Sequence, residues 1–321
     1  MPNTSLHSSS RALSTRKSAS YRCFTVVFAM LGSLAFANMV RAEAIYVFGD
    51  SLSDTGNLAS VTSAFPNPPF SGNRVTNGDT AVEVLADLRG VELEASLHLL
   101  GPAQGTNYSV AGAKAGTDEP IDLNTQVDAF LLNTQGQAPA EALYVVFIGG
   151  NDVRAARDEQ NHRESSNLLR LALDGVKANV EKLLAAGAQQ VMVVNVPDIG
   201  AIPETRQLAT TSGNWFLPTS ATVKTAAYNL GLKQRVKSLE KASGQEIVLV
   251  DLFSAFRSID KDALAYGITN TTEPCFSQAT RSYTEGCAFG QNIDSYAYFD
   301  EVHPTAALHE RGGRLLFAYA P

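Results

Sequence analysis

The sequence predicts an α/β fold: a three-layer α/β/α sandwich in which helices cover both faces of a central parallel sheet. Three observations carry the prediction. The strand-like runs 45–48 and 143–148 are apolar throughout, and 191–196 is apolar but for Asn195, as strands buried on both faces are. Stretches with helical spacing of apolar residues separate them, the pattern of a parallel sheet. The first two of these runs, and a shorter one at 107–110, end in small polar turns, where an open sheet of this kind places its ligand crevice.

The chain has 321 residues, 45% hydrophobic and 18% charged, enough for a sizeable core. Residues 1–42 stand apart. Arg11, Arg16, Lys17 and Arg22 crowd the start, no acidic residue precedes Glu43, and Cys23–Ala37 is almost wholly apolar before Val40-Arg41-Ala42. A basic region, an apolar region and small residues at the exit describe a secretory signal peptide cleaved after Ala42. The apolar run is short for a membrane span and is interrupted by Gly32, Ser33 and Asn38. Residues 43–321, with no internal repeat or low-complexity linker, read as a single domain without a transmembrane segment.

Within that domain, Ile45–Phe48 is the first strand, stopped by Gly49-Asp50-Ser51. Prolines and glycines make 58–78 loop. Thr80–Arg89 has helical spacing and ends at Gly90; Asn107–Val110 reads as a short strand running into Ala111-Gly112-Ala113. A helix follows at Asn124–Leu132, then the strand Leu143–Ile148 with its turn Gly149-Gly150-Asn151-Asp152. A long helix over about 165–186, the strand Val191–Val196, a helix over about 222–242, the strand Ile247–Val250 and a terminal helix Thr305–Tyr319 complete the order.

Five of the 25 basic residues lie in 1–42, so the mature chain holds 20 against 32 acidic residues, a formal charge of −12. Such a chain has no electrostatic attraction to nucleic acid or anionic lipid, and nucleic-acid binding is excluded. Cys275 and Cys287 are the cysteines left after signal removal. An even pair in an exported chain is most simply one disulfide, worth roughly 2–3 kcal/mol for a loop of about a dozen residues. No CxxC pair and no cluster of histidines with carboxylates indicates a metal, and nothing calls for a cofactor.

Ser51 leaves the first strand on a tight turn, a position suited to a nucleophile, although Gly-Asp-Ser is also ordinary turn chemistry. A serine nucleophile needs an imidazole base, and the base needs a carboxylate. Of the four mature histidines, His98 and His162 have no paired carboxylate, and His309 sits beside Glu310 and Arg311 in the terminal helix, where a solvated surface role is expected. His303 lies in Asp300-Glu301-Val302-His303-Pro304, where Asp300 can reach the imidazole within one tight loop. An oxyanion needs preset donors: the Ser51 N–H, the Gly112 backbone and the Asn151 amide qualify. Gly112 equally serves as a turn residue and Asn151 as a helix cap.

These blocks together resemble the GDSL, or SGNH, hydrolases, a lipase and esterase family. The resemblance rests on Phe48–Asn57, Asn107–Ala113, Gly149–Asp152 and Asp300–Pro304, in family order and spanning nearly the whole mature chain. Asn73–Gly78 and Asn195–Gly200 resemble secondary features. Ala111 departs from the pattern, since many members carry a further glycine there. The resemblance implies a flavodoxin-like fold and ester hydrolysis through an acyl-serine. It makes Ser51 the nucleophile, His303 the base, Asp300 its partner, and Ser51, Gly112 and Asn151 the oxyanion hole. Asp54 and Asn57 then support the serine turn. The expectation is an exported lipase or esterase acting on small-molecule or lipid esters, such as lysophospholipids or short acyl esters. An acyltransferase, a choline-ester or carbohydrate acetyl esterase, and a non-catalytic binding protein are the alternatives. Oligomeric state is not legible.

Overall fold

Side-chain alternation along the strands decides the layers. In β1 (Ile45–Gly49), Ile45 and Val47 point to one face, Tyr46 and Phe48 to the other. The same division holds in β2 (Leu143–Phe147) and β3 (Gln190–Val194). The computed structural model describes residues 44–62 and 65–321; the predicted signal peptide lies outside the described residues.

With β4 (Ile247–Val250), these strands form a parallel sheet in the order β1-β2-β3-β4. The register pairs Ile45 with Leu143 and Val191 with Ile247. The residues expected to form a strand at 107–110 are not a regular one. They run beside β1 through one bridge, Val47 to Asn107, and through N–H bonds from Val47 to Thr106, Tyr108 to Val47 and Val110 to Gly49. The Asn107 and Ser109 carbonyls and the Ala111 N–H are instead taken by the Asn57 and Asp54 side chains, so they are not free to extend a ladder. Counted as an edge, it completes the spatial order 2-1-3-4-5 of flavodoxin-like sheets, with a switch point between β1 and β2.

Helices fill the two outer layers. After α1 (Asn57–Val61) come α2 (Ala81–Arg89), α3 (Leu123–Asn133), α4 (Gly150–Asp158), α5 (His162–Ala185), α6 (Pro203–Ser212), α7 (Leu217–Ser243), α8 (Leu252–Lys261) and α9 (Ala306–Tyr319). Apolar stripes of α3, α5 and α7 cover the Tyr46–Phe48 face, with Phe130, Val176, Val180 and Leu232 in one core. Helices α2 and α9 cover the opposite face through Val82, Leu85 and Leu316. The sandwich is therefore three layers deep, as the apolar strands predict.

Helix ends follow local chemistry. Thr80 and Glu83 form a reciprocal capping box on α2, which Gly90 ends in a left-handed conformation. Asn161 caps α5 by accepting from Arg163 and Glu164 N–H. Helix α7 starts at Leu217, five residues before the expected start, because Pro218 in its first turn gives up an N–H that lacks a helical partner anyway. Helices α1, α4, α6 and α8 are not expected from the sequence; they bury few apolar residues, in α8 Leu252 alone, so the core leaves little apolar pattern in them.

Between α8 and α9 the chain builds a small satellite. Strand β5 (Asn270–Pro274) pairs with β8 (Tyr296–Tyr298), and β6 (Phe276–Ser277) pairs with β7 (Ser282–Tyr283) in a hairpin. A disulfide joins Cys275 to Cys287, both fully buried. Among the described residues, no helix is long and apolar enough to cross a membrane.

Candidate active site

Ser51 is placed by the end of β1. Gln126 of α3, fully buried, accepts from the Gly49 N–H at 2.8 Å and donates to its carbonyl at 2.8 Å. The Asp50 carbonyl accepts from both Ser53 and Asp54 N–H at 3.1 Å, closing the turn that carries Ser51. Asp54 holds the next stretch: its carboxylate accepts from Gly56, Asn57, Leu58 and Ala111 N–H at 2.7–3.1 Å. The Asn57 amide donates to the Asn107 and Ser109 carbonyls, both at 2.8 Å. One acidic and one amide side chain thus tie the serine turn to the 107–111 segment.

His303 arrives from the other end of the chain. The loop 299–303 is closed by the Phe299 N–H donating to the His303 carbonyl at 2.8 Å. Within it, Asp300 Oδ1 accepts from the Val302 and His303 N–H groups at 2.8 and 2.7 Å, and Asp300 Oδ2 lies 2.8 Å from His303 Nδ1. A carboxylate only accepts, so Nδ1 carries the proton and Nε2 is left as an acceptor. Nε2 lies 2.9 Å from Ser51 Oγ. The structure therefore brings Ser51, His303 and Asp300 together in one chain of hydrogen bonds.

Electrostatics fit that order. Burial acts to raise the Asp300 carboxyl, but the charge of His303 and hydrogen bonds from His303 and Val302 outweigh it and hold the group below its ordinary value. Asp50, behind the serine, is pushed up to about 6 by burial, as is Asp152.

Gly112 and Asn151 come from neighbouring strand ends and line the same cavity as Ser51 and His303. Gly112 has φ 91°, a conformation open to glycine and strained for other residues. Gly149 (φ 122°) ends β2, and a Cβ there would lie 2.4 Å from the Tyr228 hydroxyl, so the turn before Asn151 is closed to larger residues. The Asn151 amide donates to the Ala113 carbonyl at 2.9 Å. It does not cap α4: the N-cap is Gly149. Ala111, the departure from the family pattern, gives its N–H to Asp54 at 2.8 Å.

Two cavities meet at the serine. One, about 490 Å³, runs past Leu52, Val196, Ile202, Phe256 and Leu308 and is largely apolar. The other, about 510 Å³, lies on the Gly112 side and includes Gln278 and Glu301. Residues 196–200 of the block 195–200 line the first. The block 73–78 holds the base loop: Thr76 Oγ1 donates to the Pro304 carbonyl, and Asn77 Oδ1 accepts from the Ala306 N–H, each at 2.8 Å.

Some site residues carry no signal in the sequence. Gln278, on the disulfide-closed hairpin, donates to Asp300 Oδ2 at 2.7 Å, and its own N–H reaches the Glu301 carboxylate. Phe276, beside Cys275, stacks on Phe299, the residue before Asp300. A lone glutamine in a loop has no spacing pattern to mark it. His309 corrects an expectation: it is buried, not solvated, and its Nδ1 accepts the Ala81 N–H at 3.2 Å at the start of α2. Burial first, then the nearby charge of His303, lowers its pKa to about 3, so it stays neutral. Half-buried His98 contacts Ser96 Oγ and joins neither site. No group of three or more His, Cys, Asp or Glu side chains among the described residues is arranged to hold a metal.

A serine–imidazole–carboxylate chain on an open parallel sheet, with Gly112 and Asn151 lining the same cavity, has the arrangement that serine hydrolysis requires. The profile of the GDSL-like lipase/acylhydrolase family matches residues 45–315. The chain belongs to that family and is by class a carboxylic ester hydrolase of the lipase/esterase type. A stretch of 181 residues is 33% identical to lipase 1 of Photorhabdus luminescens, covering 56% of this chain and 26% of that lipase. The chain thus spans about a quarter of that relative's length. A GDSL esterase/lipase of Arabidopsis thaliana is 26% identical over 312 residues, covering 83% of this chain and 84% of the relative. Among solved structures, an acetylxylan esterase from Geobacillus stearothermophilus aligns with TM-score 0.43 and 15% identity, over 86% of this chain and 93% of that one.

Proposed function

We propose that this chain is an exported serine ester hydrolase that cleaves acyl esters through an acyl-serine intermediate. The observation that carries the reading is the 2.9 Å contact between Ser51 Oγ and His303 Nε2, with Asp300 behind the ring. His303 takes the serine proton as Oγ attacks the ester carbonyl, and Asp300 stabilises the imidazolium that forms. The negative oxygen of the tetrahedral intermediate is met by the Ser51 and Gly112 N–H groups and the Asn151 amide. The imidazolium then protonates the leaving alkoxide. Water, deprotonated by the same imidazole, attacks the acyl-serine; the acyl–Oγ bond breaks, the acid leaves and the imidazolium returns its proton to Ser51 Oγ.

The apolar cavity of about 490 Å³ beside Ser51 and His303 supports a substrate with a hydrophobic acyl or alkyl part. The similarity to a protein named as a lipase agrees with this. Export is supported by the basic, apolar and small-residue pattern of residues 1–42 and by the Cys275–Cys287 disulfide, which persists in oxidising compartments.

The test is a panel of acyl esters of increasing chain length, with lysophosphatidylcholine, against wild type and Ser51→Ala. Wild type is expected to hydrolyse members of the panel with acid and alcohol as products. Ser51→Ala should lose activity by a factor on the order of 10⁴–10⁶. Full activity in Ser51→Ala would overturn the nucleophile assignment.

A further inference from the structure

The Asn151 side chain stands at the crevice on a helix start, where nothing in its own backbone fixes which end of the amide faces a substrate. Arg154, one helical turn along α4, supplies that control. Its Nη1 donates to Asn151 Oδ1 at 3.1 Å. A guanidinium can only donate and a carbonyl can only accept, so Arg154 and the Ala113 carbonyl each demand the same amide orientation. One amide hydrogen is spent on Ala113, which leaves the other for an oxyanion.

Arg154 is itself clamped. Its Nε and Nη2 form a two-pronged pair with Glu204 at 2.9 and 2.5 Å. Glu204 is held in turn by Arg157 Nη1 at 2.8 Å, and its N–H donates to the Glu301 carbonyl at 2.8 Å, inside the loop that carries Asp300 and His303. Glu204 thus joins the oxyanion side of the site to the base side through one carboxylate and one peptide group.

We infer that Arg154, clamped by Glu204, is a positioning residue that acts through Asn151 by locking its amide in the oxyanion-binding orientation. Without Arg154 only the Ala113 carbonyl still holds the amide, and whenever it rotates its oxygen repels the developing negative charge instead of donating to it. The inference rests on the ester hydrolase reading above. It adds a specific dependence: the rate should follow the arginine only while Asn151 is present.

The experiment is a double-mutant cycle, with kcat and KM measured on a soluble short acyl ester for wild type, Arg154→Gln, Asn151→Ala and the double variant. Asn151→Ala is expected to lower kcat about 10²–10³-fold, as for loss of one oxyanion donor. Arg154→Gln is expected to lower kcat roughly 10–30-fold and leave KM within about twofold, as for a transition-state effect. In the Asn151→Ala background the arginine replacement should cost less than about threefold. Glu204 keeps Arg157 in Arg154→Gln and is not left unpaired. Should that variant fail to fold, Glu204→Gln loosens the same guanidinium, with a smaller loss expected that also vanishes without Asn151. A full penalty in the Asn151→Ala background, an effect on KM alone, or unchanged kcat in Arg154→Gln would overturn the inference. Full activity in Asn151→Ala would instead remove Asn151 from the oxyanion hole and take this inference with it.

Discussion

The two halves of the serine relay are held in different ways. Ser51 sits at the end of a central strand, on a turn whose neighbours are fixed by Gln126, Asp54 and Asn57, all buried. His303 and Asp300 sit on a loop outside the sheet. They are held by an aromatic trio of Phe70, Phe276 and Phe299, by Gln278, and by a disulfide hairpin. On the first side, catalytic geometry and folding stability rest on the same contacts. On the second, position comes from a cross-linked satellite that contributes little to the main core. Damage on the sheet side should therefore appear chiefly as lost stability, and damage on the hairpin side should reach catalysis as well.

The largest break in that contrast is expected from Asp54→Ala. It leaves four N–H groups without their acceptor, three of them in the turn after Ser51. Unfolding stability should fall by roughly 3 kcal/mol, since each buried donor left unmet costs about 1–3 kcal/mol and some will rebond. A thermal or denaturant melt checks this, and an unchanged midpoint would sink the claim that this carboxylate organises the turn. Next in size is the double replacement Cys275→Ser with Cys287→Ser. Opening a loop with sequence separation 12 should cost about 2–3 kcal/mol. Activity should fall as well, because Cys275 N–H donates to Tyr298 and Phe276 N–H to Phe299, just ahead of Asp300. Unaltered activity in the double variant would show that the hairpin does not brace the base.

A sharper probe is Gln278→Leu, which removes one donor to Asp300 and leaves the disulfide in place. Without that donor the Asp300 carboxylate is less firmly held against the imidazole. kcat should fall roughly 3–10-fold with little change in the melting midpoint. Unchanged kcat would reduce Gln278 to a packing residue.

The smallest expected effect at neutral pH concerns His309, on the sheet side. Its pKa is lowered from 6.5 to about 3 by burial first and then by the charge of His303. The unfolded chain therefore binds the extra proton, and stability is lost as pH falls from about 6.5 toward 3. Asp50 and Asp152, raised to about 6 by burial, act oppositely and lose stability as pH rises from about 4 to 6. The informative quantity is thus a difference between variants. His309→Gln, which keeps an acceptor for the Ala81 N–H, should show a shallower fall in stability from pH 6.5 to 4 than wild type.

The same contrast separates what the chain order reveals from what it hides. Strands such as 143–147 announce themselves because every residue is buried, and an unbroken apolar run survives in the sequence as a run. The site blocks are legible because chemistry confines residue types: a glycine where φ is positive, an Asp-x-x-His where one loop must carry both groups. His309 misleads through its neighbours Glu310 and Arg311, although 309, 312, 313 and 316 form one buried stripe of α9. Two of those positions are glycines, which carry no hydrophobic signal, so the stripe is hard to see.

By itself the sequence determined the apolar strands, the helices between them, the parallel sheet they imply, and the residue types able to perform serine chemistry. Periodicity and composition are local properties, and local physics writes them into the chain. Only the tertiary structure decided that Gln278 reaches Asp300, that Arg154, clamped by Glu204, contacts Asn151, and that the 107–110 segment runs as an irregular edge. Each of these depends on a partner from another part of the chain: Gln278 lies 22 positions from Asp300, and Glu204 lies 50 from the Arg154 it clamps. Such contacts leave no spacing pattern, because folding, not chain order, brings their partners together.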